Sequence, residues 1–104
     1  MKTKIKTIDI HAREWFDRIN GNTYFSGSVT TDIGTKKEKI WAMPFQYGNN
    51  DQYKYKAIRI LFELKIIPTE RIFELENKEK IIIRANIQKG CKEKEVKLNQ
   101  LPTN

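Results

Sequence analysis

Apolar and polar residues alternate over residues 4–15, with Ile8, Ile10 and Ala12 on one side of the chain and Asp9, His11 and Arg13 on the other. A period of two is that of a half-buried strand. Residues 17–22 contain Asn20-Gly21, which accept positive φ cheaply and so mark a hairpin turn. Residues 23–31 resume the alternation, with Phe25, Gly27, Val29 and Thr31 on one face and Tyr24, Ser26, Ser28 and Thr30 on the other. A second turn, Asp32-Ile33-Gly34-Thr35, and a charged approach over 36–39 lead to a third strand expected at 40–45. Its Pro44 cannot donate to a ladder, which suits a sheet edge or a strand end. The first half predicts a three-stranded antiparallel meander.

The period then changes. Asn49 or Asn50 can cap a helix predicted over 51–66, with Asp51 favouring the positive end of its dipole. Tyr53, Ala57, Ile60, Leu61 and Leu64 form the expected buried stripe, and Pro68 ends the segment. Residues 69–80 read as a short second helix capped by Thr69 and burying Ile72, Phe73 and Leu75, with a strand over 71–76 as the alternative. The spacing of Glu70, Glu74 and Lys78 favours the helix. Residues 81–87 predict a strand with Ile81, Ile83, Ala85 and Ile87 inward. Lys89-Gly90 then turns it into a last strand over 92–98, whose Lys-Glu alternation would protect a sheet edge. The tail, 99–104, is expected to fray. The sum is one α+β domain over 1–104: an antiparallel sheet, made of the meander and a C-terminal hairpin, packed on one long amphipathic helix, with a second short helix.

With 104 residues, 38% apolar and 32% charged, the core is small. No apolar run is long enough to span a membrane, and Met1–Lys6 has positive charge with no apolar run behind it, so neither an anchor nor a secretory leader is expected. The single cysteine, Cys91, excludes an internal disulfide and suits a reducing cytoplasm. Twenty Lys and Arg against thirteen carboxylates give a net charge of +7. Such a surplus favours polyanions such as nucleic acid or a nucleoprotein. It is equally the composition of an AT-rich coding sequence, where lysine keeps a small domain in solution.

Catalytic and metal chemistry find little footing. His11 and Cys91 are too few for an ordinary zinc site, and Asp9, Asp17 and Asp32 sit at strand ends and turns, where aspartate serves the backbone. No Gly-x-Ser-x-Gly elbow or phosphate-cradling glycine loop occurs. The expectation is a non-enzyme without cofactor or metal. Seven of the eleven aromatic residues lie in Trp15, Phe16, Tyr24, Phe25, Trp41, Phe45 and Tyr47. Alternation sends about half of them inward: Trp41 and Phe45 are expected in the core with Phe25 and Phe62. Trp15, Tyr24 and Tyr47 form the outward set, a binding or oligomer patch. The candidate binding residues are therefore Trp15, Arg18, Tyr24, Tyr47, Lys54 and Lys56, with Lys89, Lys92 and Lys94 as an electrostatic flank. The loop Tyr47-Gly48-Asn49-Asn50 ahead of the helix reads either as an anion site or as ordinary capping.

The spacing of Trp15-Phe16-Asp17, Asn20-Gly21-Asn22-Thr23-Tyr24 and Phe45-Gln46-Tyr47-Gly48 before an amphipathic helix resembles a group of small bacteriophage and prophage proteins, over about residues 8–66. The resemblance implies a protein of the host-cell cytoplasm that acts by binding, as inhibitors of defence machinery such as CRISPR nucleases do. Its positive charge departs from the acidic, DNA-mimicking type. The partner expected is thus a host nucleoprotein complex or nucleic acid. The alternative is a homo-oligomeric sponge for a small anionic nucleotide ligand.

Overall fold

The structure, a computed structural model, describes residues 5–98. The expected fraying of 99–104 lies outside the described residues. The elements run β1 (Thr7–Asp17), β2 (Asn22–Thr31), β3 (Lys39–Tyr47), α1 (Gln52–Glu63), α2 (Ile72–Asn77), β4 (Ile82–Gln88) and α3 (Glu93–Leu98). The fold is α+β, with a four-stranded sheet ordered β3-β2-β1-β4. The meander pairs antiparallel, with Ile10 opposite Val29 and Val29 opposite Trp41. Among the described residues no helix is long and apolar enough to cross a membrane.

The turn between β1 and β2 is built by Asp17. Its carboxylate accepts hydrogen bonds from the backbone N–H of Ile19 and Asn20 and from the Asn20 side chain (2.8 Å), while its carbonyl accepts the Gly21 N–H (2.7 Å). These bonds, the Asn20 side chain foremost, hold the Asp17 carboxyl below the usual aspartate range. Of the Asn-Gly pair only Gly21 takes positive φ (71°), so the loop is a four-residue turn rather than a two-residue one.

One face of the sheet buries Ile8, Ile10, Phe25, Val29 and Met43 against Tyr53, Ala57, Ile58 and Leu61 of α1, the main core. Burial pushes the Tyr53 phenol above its ordinary pKa. The helical stripe expected from spacing holds for Tyr53, Ala57 and Leu61, with Ile60 half-buried against the core; Ile58 joins it, and Leu64 is exposed. The reason is that α1 stops at Glu63, before Leu64 can complete another turn. Lys65 adopts a left-handed conformation (φ 63°), its N–H donating to Phe62 and that of Ile66 to Leu61, the hydrogen-bond pattern of a Schellman end. A lysine there carries the strain that glycine avoids, about 1–2 kcal/mol. Lys65→Gly is expected to stabilise the fold by about 1 kcal/mol, the remainder being lost to a looser unfolded chain. A lowered thermal midpoint would contradict this.

The short second helix forms, but it buries Leu75 and leaves Phe73 exposed. The C-terminal hairpin does not form. β4 leaves the helical layer and pairs parallel to β1, with Ile10 beside Ala85. Parallel pairing needs a long crossover, which α1 and α2 supply in passing from the β3 edge to the β4 edge. Ala85, expected inward, is exposed, because the core cover thins at this edge. The segment expected as a charged edge strand over 92–98 is the helix α3. Glu95 accepts the Lys92 backbone N–H (2.8 Å), and Lys97 pairs with Glu93 (2.7 Å). The helical reach of these pairs outweighs the Lys-Glu alternation that suggests a strand. α3 lies on the face opposite α1, where Val96 is fully buried and its carbonyl accepts the Ser26 hydroxyl.

Candidate binding surface

The outer sheet face, opposite α1, is divided along its length. Its middle is polar: Arg84 holds Asp9 in a two-pronged ion pair (2.9 and 3.0 Å), and the His11 Nδ1 lies 3.0 Å from the Asn86 side-chain oxygen. Towards the β1–β2 turn it becomes aromatic. Trp15 stacks on Tyr24 (5.5 Å), Tyr24 stacks on Phe45 (5.2 Å), and Tyr47 meets Tyr24 edge-on (5.9 Å). Trp15 and Tyr24 are directly opposite in the β1–β2 pairing, and Tyr24 and Tyr47 in the β2–β3 pairing, so the row is a set of cross-strand contacts.

Phe45, which alternation assigns to the core, is not there. A bulge in β3 sets both Pro44 and Phe45 against Ser26, between the pairs Gly27–Met43 and Phe25–Gln46. Trp41 and Met43 therefore face the core, while Phe45 and Tyr47 face outward: one extra residue reverses the side of everything beyond it. Phe62, also expected in the core, is exposed on α1. Trp15 and Tyr24 face outward as the alternation indicates, and the bulge brings Tyr47 and Phe45 to the same side. Tyr47 is 65% exposed at the end of the row, and Lys97 of α3 stands over the Phe45 ring, 5.4 Å from its centre.

Beside this row the turn after β1 and the segment before α3 enclose an open cleft of about 480 Å³. Trp15, Phe16, Arg18 and Ile19 line one wall, and Gly90, Cys91, Lys92 and Glu93 the other. The Cys91 N–H donates to the Glu14 carbonyl (3.0 Å), which ties the two walls together. Three of the candidates, Trp15, Arg18 and Lys92, thus meet in one place from segments far apart in the chain. Lys89 and Lys94 are exposed on either side of that second wall. Asp17 shares the cleft, but its carboxylate is occupied by the turn.

Lys54 and Lys56 do not join this group. They belong to α1, which packs on the other face of the sheet. Lys54 pairs with Asp51 (3.7 Å), and Lys56 borders a shallow groove with Gln52, Tyr55, Arg59 and Glu70. The helix start is not capped as the spacing suggests: its first flanking residue is Asp51, which makes no side-chain cap hydrogen bond, and neither Asn49 nor Asn50 takes that position. Gln52 accepts the Asn49 N–H (2.7 Å). Lys97, which the spacing does not single out, belongs to the site instead; its i,i+4 relation to Glu93 is the signal for it.

His11 and Cys91 do not form a pair. The imidazole bonds with Asn86, and the buried thiol is directed at the Gln88 carbonyl (3.4 Å). Among the described residues no three His, Cys, Asp or Glu side chains converge in a way that could hold a metal ion. What the arrangement offers is a wall of flat rings, two free cations (Arg18 and Lys92 make no ion pair among the described residues) and room for a planar group between them. Comparison with known proteins gives no match to this chain, whether among family models, curated proteins or solved structures.

Proposed function

We propose that this chain is a non-enzymatic, phage-type binding protein of the host cytoplasm that occludes a nucleic-acid-handling complex, of the defence or CRISPR kind, by seating its aromatic and basic end on the nucleic acid of that complex. The observation that carries the reading is the cleft where Trp15, Arg18 and Lys92 meet beside the Tyr24–Phe45–Tyr47 row. Aromatic faces accept unpaired bases without regard to sequence, and cations beside them take the flanking phosphates. The net charge of +7 adds long-range attraction to any polyanion.

Trp15 reports on this directly, because a base stacked on indole quenches its fluorescence. Titration with single-stranded RNA and DNA is expected to quench the emission of the Trp41→Phe variant, which retains Trp15. The Trp15→Phe variant, retaining only the inward Trp41, is expected to show little change. Equal quenching of both variants would overturn the reading.

The size of the cleft favours one second reading. About 480 Å³ falls within the range of small-molecule sites, so a single nucleotide could be the whole ligand. A melting shift with mononucleotides as large as that with oligonucleotides would select it.

A further inference from the structure

β3 and β4 are the two edges of the sheet, and they meet their surroundings differently. β3 carries Pro44 and a bulge, and Lys36, Lys37 and Lys39 crowd its start. These are the devices that keep a sheet edge from pairing with another chain. β4, Ile-Ile-Arg-Ala-Asn-Ile-Gln, has neither lysine nor proline, and its register against β1 runs without a shift. Its one charge, Arg84, is held by Asp9. The Ile82 N–H donates to the Lys6 carbonyl just ahead of β1, so Ile82, Arg84, Asn86 and Gln88 turn their backbones towards β1. Ile83, Ala85 and Ile87 turn theirs away from it. Among the described residues no backbone group beyond β1 bonds to these three.

We propose that β4 is a homodimerisation edge, pairing antiparallel with β4 of a second copy about a two-fold axis at Ala85. The strand is self-complementary in that register. Ala85 falls opposite its own counterpart, a small exposed residue at the axis. Ile83 falls opposite Ile87 of the second copy, so the half-buried isoleucines that border the core extend it across the junction. Arg84 falls opposite Asn86, so no like charges face each other across the strands. The outward N–H and C=O groups of Ile83, Ala85 and Ile87 then make about six backbone hydrogen bonds. A two-fold arrangement closes on itself, leaving the blunted β3 edges as the ends of one continuous sheet.

The test is the mass of the intact protein by light scattering and sedimentation over a wide concentration range, for wild type, Ala85→Pro and Ala85→Lys. The Ala85 N–H points away from β1, so proline there removes no hydrogen bond within the protomer, and lysine sets two positive charges against each other at the axis. The wild type is expected to be dimeric. Either variant that retains the wild-type circular dichroism is expected to be monomeric. A wild type that stays monomeric throughout, or a folded variant that stays dimeric, would overturn the proposal.

Discussion

Gly27→Ala is expected to destabilise the fold by about 3 kcal/mol or more, at the upper end of what overpacking does and a large part of the total stability of a small domain. Gly27 lies opposite Ala12 in the pairing of β1 with β2. A Cβ at this position would stand 1.9 Å from the His11 carbonyl oxygen and 2.8 Å from the Ala12 Cα. Both are backbone atoms of a central strand, so relief requires the two strands to part. Gly48 makes the comparison: a Cβ there meets the Phe25 ring edge at 2.6 Å, a side chain that can shift part of the way. The urea midpoint should therefore fall much further for Gly27→Ala than for Gly48→Ala. A Gly27→Ala protein as stable as the wild type would contradict so close an approach of the two strands.

The second large effect concerns binding. Reversing both free cations of the cleft, Arg18→Glu with Lys92→Glu, is expected to weaken association with single-stranded nucleic acid by at least about tenfold, since two phosphate contacts become repulsions. The matched control is Lys54→Glu with Lys56→Glu. It changes the net charge by the same amount, but on the opposite side of the sheet. If the two double variants lose affinity equally, binding follows total charge and the cleft has no special part in it. If the control alone loses affinity, the docking face is the α1 side.

Much of this architecture is legible in the order of the residues. The alternation in β1 and β2 reports faces correctly because both strands have one buried side, and the 3.6-residue period identifies α1 because its stripe is long. Legibility ends where one residue shifts the phase of the residues after it. The bulge at Pro44 carries Phe45 out of the core, and no local pattern fixes its position. Residues 92–98 satisfy a strand pattern by charge alternation and a helix pattern by the Glu93–Lys97 and Lys92–Glu95 contacts, and the buried Val96 decides for the helix. The parallel partner of β4 is not written in β4 at all; it is set by where the crossover delivers the chain. The candidate site shares this division. Trp15 and Tyr24 are visible as outward residues of the meander, whereas Tyr47 reaches the same side through the bulge. That Arg18 and Lys92 close around Trp15, and that Lys54 and Lys56 end on the other layer, depends on long-range placement.

The most direct test of the account is the salt dependence of wild-type binding to single-stranded RNA and DNA. If Arg18 and Lys92, with Lys89 and Lys94 beside them, neutralise phosphates, the logarithm of the association constant should fall linearly with the logarithm of salt concentration, with a slope of about −2 to −3. An affinity that does not respond to salt, or no measurable binding at low salt, would contradict it.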